Sequence, residues 1–496
     1  MTAALALTAA WVASQMAGTL VRGEPSTEFA DVSIDTRTLK PGDLFIAIRG
    51  ERFDGSEFAA SAIEKGAAGV VVPAGSATVR PFESLRVAPS QVEGREPQGR
   101  PEQGRGPKAP AERTAVIEVD DTTLALQRLA HAIRRESGTS VVAITGSAGK
   151  TTTKEVTSEF LGLRYRVIRN RGNFNNHIGL PLSLIELRQR PEIAVVELGM
   201  NHAGEISTLV GIAEPEVRVW TNVGEAHVGF FASVDAIADA KAEILEGAGA
   251  STVLVANADD ARIITRASGF RGRTVTFGVD RDADVRATNI QDRGTEGTSA
   301  RITTPRGAAE MTTPLVGRAN LANILAATAV ALNFDVPLTD IAAKAAELRP
   351  ASHRGEVVRL TGGVTVVDDS YNANPTATRR ALDVLASARA TRRIAVIGEM
   401  LELGDHSVGL HEGVGRAAAE TGVDKLIAVG GPAAASMVEA AVAAGMAAAD
   451  VHHFATSDEA ADLVLTMVQS GDVVLVKGSR GVKTDRVVER LKSERG

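Results

Sequence analysis

The 496-residue chain has no cysteine. That absence excludes a disulfide framework, thiolate zinc sites, iron–sulfur ligation and a cysteine nucleophile, and leaves oxygen and imidazole as the available metal ligands. Basic charge is not in excess either: 54 Lys and Arg stand against 61 Asp and Glu, for a formal charge of -7 and a pI near 5.8. Such a balance speaks against broad binding to a nucleic-acid backbone, so any phosphate must be caught locally. Long hydrophobic runs are missing too, and no segment reaches the ~20 apolar residues of a bilayer span. The first twenty residues are uncharged and apolar, but they lack a basic n-region. Thr8, Ser14, Gln15 and Thr19 interrupt them at spacings that suit an amphipathic helix rather than a secretory leader. The expectation is a soluble, cytoplasmic α/β protein of about three domains, at ~100 to 200 residues per domain.

Between Gln91 and Arg113 lie four Gly, four Pro and nine charged residues, a composition with almost nothing to bury, so residues 91–113 read as a flexible insertion. Short apolar strands at 44–50 and 69–73 precede it, and a strand (AVIEVDD) and a helix (LALQRLAHAIRRES) follow. Residues 1–137 therefore form a small N-terminal α/β domain. From Ser140 the pattern becomes apolar strand, glycine turn and helix, repeated through VVAIT, IAVVELG, VRVWTNVG and TVLVAN. Continuous apolar strands between helices imply a parallel sheet covered on both faces. Residues 284–316, rich in Thr, Arg and Gly, suggest a small β excursion, and two helices then lead to Arg349 and Pro350. Placing the boundary at that proline gives a central domain over 138–349 and a Rossmann-like third domain over 350–496, where VTVVDDS, RIAVIGEM, KLIAVGG, VHHF and VVLVKGS alternate with helices.

The strand SVVAIT runs into Gly146, Ser147, Ala148, Gly149, Lys150, Thr151 and Thr152, and then into a helical stretch. Small residues let backbone N–H groups close around phosphate oxygens, and the helix N-terminus adds its dipole. Lys150 reaches the β- and γ-phosphates, and the Thr151 hydroxyl suits Mg²⁺. Ile144 stands where the strict pattern has glycine, and a plain glycine turn is the alternative. Glu197 ends the strand IAVVELG at the carboxyl edge of the sheet, where a carboxylate is either a metal ligand or an ordinary exposed strand end. His227 follows the strand VRVWTNV; alone it reads as a surface histidine, and with Glu197 and Thr151 on one sheet edge as a third ligand. Lys241 lies on an amphipathic helix, where periodicity favours a solvated lysine paired with Glu243 or a neighbour. Asp368 and Asp369 end a strand of the third domain, either as ribose acids or as turn acids ahead of Ser370, Tyr371 and Asn372.

Ten ordered segments carry a wider likeness: TGSAGKTTTKE, NFNNHIGLPLSLIEL, ELGMNHAGEI, TNVGEAHVGFF, AKAEIL, VANADD, GRANLANILAA, DDSYNANP, GEMLELG and VLVKGSRG. Together they resemble the Mur ligases over nearly the whole chain, and IDTRTLKPGDLFIAIRGERFDG is similar to that family's uridine-nucleotide domain. The resemblance implies three domains, an N-terminal one for the UDP-sugar peptide, a central P-loop ATPase, and a C-terminal one closing over both. Within the family it points to the member that joins D-alanyl-D-alanine to UDP-N-acetylmuramoyl-tripeptide, using ATP and Mg²⁺, as a cytoplasmic monomer. By the same resemblance Lys150, Lys241 and His227 are catalytic, Thr151, Glu197, His227 and Lys241 surround the metal, and Lys241 is carbamylated. Asn320 takes the adenine side, Arg354 is a hinge arginine near the phosphates, and Asp369 is the ribose acid. Thr36, Arg37, Gly50, Phe53 and Asp54 line the uridine site, and Asn173, Asn175 and Asn176 contact substrate.

The chain departs from the family pattern at His177, where glutamate is expected in NFNNHIGLPL. A sibling ligase adding the third amino acid, or one of the folylpolyglutamate type, is the competing enzyme reading. NFNNHIGLPL and DDSYNANP favour the dipeptide-adding member, and the Asp-Asn-Pro-Arg signature associated with the third-residue ligase is missing. A nucleotide-binding scaffold without catalysis is the alternative from another class, and Lys150, Glu197, His227 and Lys241 argue against it.

Overall fold

A computed structural model of the chain describes residues 4–50, 53–76 and 114–496. The insertion expected at 91–113 and Glu51–Arg52 of the GERFDG turn lie outside the described residues. The chain divides into two compact units, one of Met1–Thr139 with His177–Arg190 and one of Ser140–Asn176 with Pro191–Gly496.

In the first unit a five-stranded sheet runs in the order Thr19–Arg22, Ala115–Val119, Gly69–Pro73, Leu44–Ile46, Val32–Ser33, antiparallel only at the first pair. The helical expectation for the first twenty residues holds only for Ala9–Gln15. Thr8 caps that helix at Trp11 N, and Ala17 in the left-handed region at φ 54° turns the chain into a strand. The helix Thr122–Ser137 starts on Asp121, whose carboxylate accepts from Thr123 N and Leu124 N, and stops at Gly138 in the left-handed conformation. It packs against Gly179–Ile185, so the stretch after NFNN joins this unit.

The second unit holds two sheets. The larger has nine strands in the order Gly307–Thr313, Thr298–Thr304, Val285–Asp292, Arg273–Gly278, Val253–Asn257, Val217–Trp220, Ser140–Thr145, Ile193–Glu197, Val167–Arg169. Seven run parallel, and the excursion foreseen at 284–316 extends the sheet by two antiparallel pairings. Apolar strand residues such as Val142, Ile144, Val195 and Val219 are buried against the helices Lys150–Leu161 and Gly317–Asn333, which explains why the strands read as unbroken hydrophobic runs. The second sheet orders Glu356–Arg359, Thr365–Asp369, Asp472–Lys477, Arg392–Gly398, Lys425–Val429 and Val451–Phe454. Only its edge strand Glu356–Arg359 is antiparallel, an element with no apolar run to announce it. The architecture is α/β throughout. No helix among the described residues is long and apolar enough to cross a membrane.

Candidate active site

Strand Ser140–Thr145 delivers its C-terminus to a turn that only glycine fits. A Cβ on Gly146 would collide with Thr221 Oγ1, and one on Gly149, at φ 80°, with Asn323 Oδ1. Asn222 steadies the turn, its backbone oxygen accepting from Ser147 N at 3.0 Å and its side-chain oxygen from Ala148 N at 2.9 Å. Helix Lys150–Leu161 then begins on Gly149 with no side-chain cap, so its first N–H groups are available to a phosphate. Lys150 folds back onto Gly146 O at 2.8 Å.

The Thr151 hydroxyl donates to Glu197 Oε2 at 2.7 Å. Asn175 Nδ2 donates to the other carboxylate oxygen, and Asn170 Oδ1 accepts from Glu197 N at 3.1 Å. Glu197 is buried, so the exposed strand-end alternative is wrong for it. Hydroxyl and carboxylate side by side form a hard oxygen pair that could hold a divalent cation such as Mg²⁺. Among the described residues no three His, Asp or Glu side chains cluster as a metal cage.

His227 sits in the left-handed region at φ 61°, and its Nδ1 lies 2.6 Å from Glu402 Oε2. Lys241 is 2% exposed, which overturns the solvated reading that helix periodicity favoured. Glu243, its expected partner, instead accepts from Gly204 N and Ser207 N. The Lys241 ammonium has no hydrogen-bond acceptor among the described residues, and burial, reinforced by Lys150, pushes its pKa well below the ordinary lysine range. Burial likewise lowers His227, with the positive charge of Lys150 adding to it and Glu402 opposing. Lys150 itself is lowered by burial, against the pull of Glu197. Three nitrogen bases thus crowd a low-dielectric space, and a polyanion would relieve the repulsion.

A cleft of about 510 Å³ is lined by Ser147 through Thr152, Asn173, Asn175, Glu197, His227, Asn320, Arg354 and Asp369. Gly146, Asn176 and Lys241 are not on its wall. The two strand-end acids divide the alternatives between them. Asp368 is fully buried as a turn acid, bound to Ser370 Oγ at 2.6 Å and His353 Nδ1 at 2.8 Å, whereas Asp369 faces the cleft. Asp369 Oδ2 accepts from buried Lys477 at 2.6 Å. Arg354 lies over the Tyr371 ring at 4.0 Å, with Arg480 at 5.6 Å from the same centroid. Asn320, on the cleft wall, donates through Nδ2 to Val316 O at 2.9 Å. Tyr371, Glu402, Lys477, Arg480, Asn222 and Asn323 escaped the sequence reading as site residues, although each lies inside a quoted motif.

In the first unit Thr36 and Arg37 follow strand Val32–Ser33, and Gly50, Phe53 and Asp54 follow its parallel neighbour Leu44–Ile46, so the five share one sheet end. Arg37 chelates Asp35, holding that carboxyl down to about 2. Asp54 caps the turn at Ser56 N and pairs loosely with Arg49 at 3.8 Å, while Phe53 is 71% exposed. His177 is exposed, and its backbone oxygen accepts from Gln127 Nε2 at 3.0 Å.

Known proteins bear on this arrangement. The family description for the Mur ligase catalytic domain matches residues 28–134, that for the middle domain 144–331, and that for the glutamate ligase domain 353–480. The UDP-N-acetylmuramoyl-tripeptide–D-alanyl-D-alanine ligase of Bacillus subtilis is 33% identical over 482 residues, 97% of either chain. A crystal structure of MurF from Acinetobacter baumannii is 30% identical, covers 99% of this chain and 100% of its own, and superposes with a TM-score of 0.84. MurF ligase from Thermotoga maritima, solved in complex with ADP, is 27% identical over 94% of this chain and 97% of its own, with a TM-score of 0.77.

Proposed function

The chain belongs to the Mur ligase family, and from that premise we propose that it is the ATP-dependent ligase that joins D-alanyl-D-alanine to UDP-N-acetylmuramoyl-tripeptide in peptidoglycan precursor synthesis. The observation that carries the reading is the Thr151–Glu197 pair beside an uncapped P-loop helix, in one cleft with Asp369. It acts in the cytoplasm as a monomer, with domains at 1–137, 138–349 and 350–496.

Gly146 through Thr152 cradle the ATP phosphates, with Lys150 turned from Gly146 O onto them. Asn320 takes the adenine side, Asp369 the ribose hydroxyls and Arg354 the phosphate end. Thr151 and Glu197 hold Mg²⁺, which supplies charge compensation where a carboxylate meets a triphosphate; His227 and a carbamylated Lys241 complete that neighbourhood. Thr36, Arg37, Gly50, Phe53 and Asp54 take the uridine nucleotide. Asn173 and Asn176 face the peptide, while Asn175 orients Glu197. The tripeptide carboxylate oxygen attacks the γ-phosphorus as the bond to ADP breaks, giving an acyl phosphate. The D-alanyl-D-alanine amine then attacks the acyl carbon, releasing phosphate and a proton. Acyl phosphates hydrolyse readily, so water must be kept from the cleft between the two steps.

The test is phosphate release by the purified enzyme, expected only with ATP, the UDP-tripeptide and the dipeptide together. Release with a single amino acid in place of the dipeptide would assign the chain to a sibling ligase. No release with any acceptor would leave a nucleotide-binding scaffold.

A further inference from the structure

His227 and Glu402 come from different sheets of the larger unit: His227 from the loop after Val217–Trp220, Glu402 from the loop after Arg392–Gly398. Both are non-glycine residues in the left-handed region, at φ 61° and φ 65°. Two such conformations facing each other persist only where the surroundings over-determine them, and they mark sites where a side chain is aimed. The surroundings here are tight. Gly229 N donates to Glu402 O at 3.0 Å, and a Cβ on Gly229 would lie 2.6 Å from Gly404 N. Both side chains line the cleft, and the His227 Nδ1 to Glu402 Oε2 distance is 2.6 Å. In the tautomer that lets Nδ1 donate to this carboxylate oxygen, Nε2 is left as the ring nitrogen turned away from Glu402.

We propose that Glu402 is the positioning residue of His227: brought by the second sheet to a loop of the first, it fixes the ring's orientation and tautomer and so aims Nε2 at the metal and phosphate end of the cleft. The inference deepens the ligase reading and rests on it for the step served. Its geometric content is independent of that reading. His227 is correctly presented only while the two loops touch, so the phosphate site of one sheet is completed by a carboxylate from the other. Outer carboxylates of this kind act through the ring they hold, and their removal costs ~10- to 100-fold in activity or metal affinity.

The test uses the full-length enzyme, labelled with ¹⁵N-histidine, as wild type, Glu402→Gln and Glu402→Ala, with His227→Asn to assign the signal. Wild type should show His227 protonated at Nδ1 with Nε2 bare. Glu402→Ala should shift it toward a mixture of tautomers, and Glu402→Gln, whose amide oxygen still accepts, should keep the wild-type pattern. In the coupled assay Glu402→Ala should lose ~10-fold or more in kcat with little change in KM for ATP, and Glu402→Gln should recover most of it. An unchanged His227 signal in Glu402→Ala, or equal kcat losses in both variants, overturns the proposal. A wild-type enzyme inactive on tripeptide and dipeptide would overturn the ligase reading while leaving the tautomer result intact.

Discussion

Lys154 and Lys241 are both buried, at 1% and 2% exposure, and they differ in what they touch. Lys154 donates to Asn170 O at 2.8 Å and pairs with Glu155 at 3.1 Å, so its charge is compensated and its work is to hold the residue whose side chain steadies Glu197. Lys154→Met should cost ~1 to 3 kcal/mol by leaving the Asn170 carbonyl without its donor, while Glu155 keeps Arg169 at 2.7 Å; the loss is read as a lower denaturant midpoint. An unchanged midpoint would remove it from the supporting network. Lys241 has no such acceptor, and burial depresses its pKa. The sign follows: the unfolded chain binds that proton more tightly, so the cost of burying Lys241 is fully present below its folded pKa and fades as pH rises toward the ordinary lysine value. The folded state therefore favours the neutral amine, the form whose lone pair attacks CO₂ and, on losing a proton, becomes a carbamate with two oxygens for a hard cation. Lys241→Arg should fold but turn over poorly, and intact-mass analysis of the gently handled enzyme should show one added CO₂. A fully active arginine variant would end the carbamate idea. Sequence periodicity alone missed this burial because an alanine-rich helix with charges at scattered positions looks solvated on either face.

Parallel strands Thr365–Asp369 and Asp472–Lys477 are neighbours in register, with Asp369 opposite Lys477. The same carboxylate that offers an oxygen to the cleft thus neutralises a buried ammonium, which also donates to Asn372 O at 3.0 Å. Asp369→Ala should weaken ATP binding by ~1.5 to 3 kcal/mol, about ten- to a hundred-fold, and also lower the melting temperature, since buried Lys477 loses its counter-charge and keeps only Asn372 O. Asp369→Asn should spare more of the stability than of the affinity. Titration calorimetry with ATP and with the UDP-substrate separates the effects, and equal losses for both ligands would mean a damaged fold. The loop pair at Gly229 and Gly404 gives a second prediction: Gly229→Ala, forced against Gly404 N, should part the loops and reproduce the His227 tautomer change of Glu402→Ala. An unaltered tautomer would show that the loops yield elsewhere. Elements like these were legible where chemistry is local. The P-loop, the strand-end acids and the apolar parallel strands all announce themselves within a dozen residues. Edge strand Glu356–Arg359, the packing of Gly179–Ile185 on Thr122–Ser137, and the partnership of His227 with a residue far along the chain depend on tertiary pairing, for which one sequence carries no period or spacing.

Across the larger unit, one cleft draws its wall from two sheets: Lys150, Thr151 and Glu197 from the nine-stranded one, Asp369, Tyr371 and Lys477 from the six-stranded one. On the proposed reading a nucleotide spanning that cleft would bind the folded form through both, and ligand at a hundred times its Kd should raise stability by ~2.7 kcal/mol. Wild-type enzyme should therefore melt several degrees higher with a non-hydrolysable ATP analogue and Mg²⁺, by the usual relation between stability and Tm for a unit of this size. Lys150→Ala removes a charge from the proposed phosphate end and should abolish most of that shift while leaving the ligand-free Tm near wild type, because among the described residues Lys150 bonds to Gly146 O and to no acidic side chain. Turnover should fall at least ~100-fold, the order expected when one electrostatic stabiliser of a transition state is lost. Asp369→Asn should lose part of the shift from the other wall. If the shift needs both walls, the double variant should retain none of it. A full shift in Asp369→Asn would mean that the nucleotide rests on the nine-stranded sheet alone, and the second sheet's share in binding ATP would have to be given up.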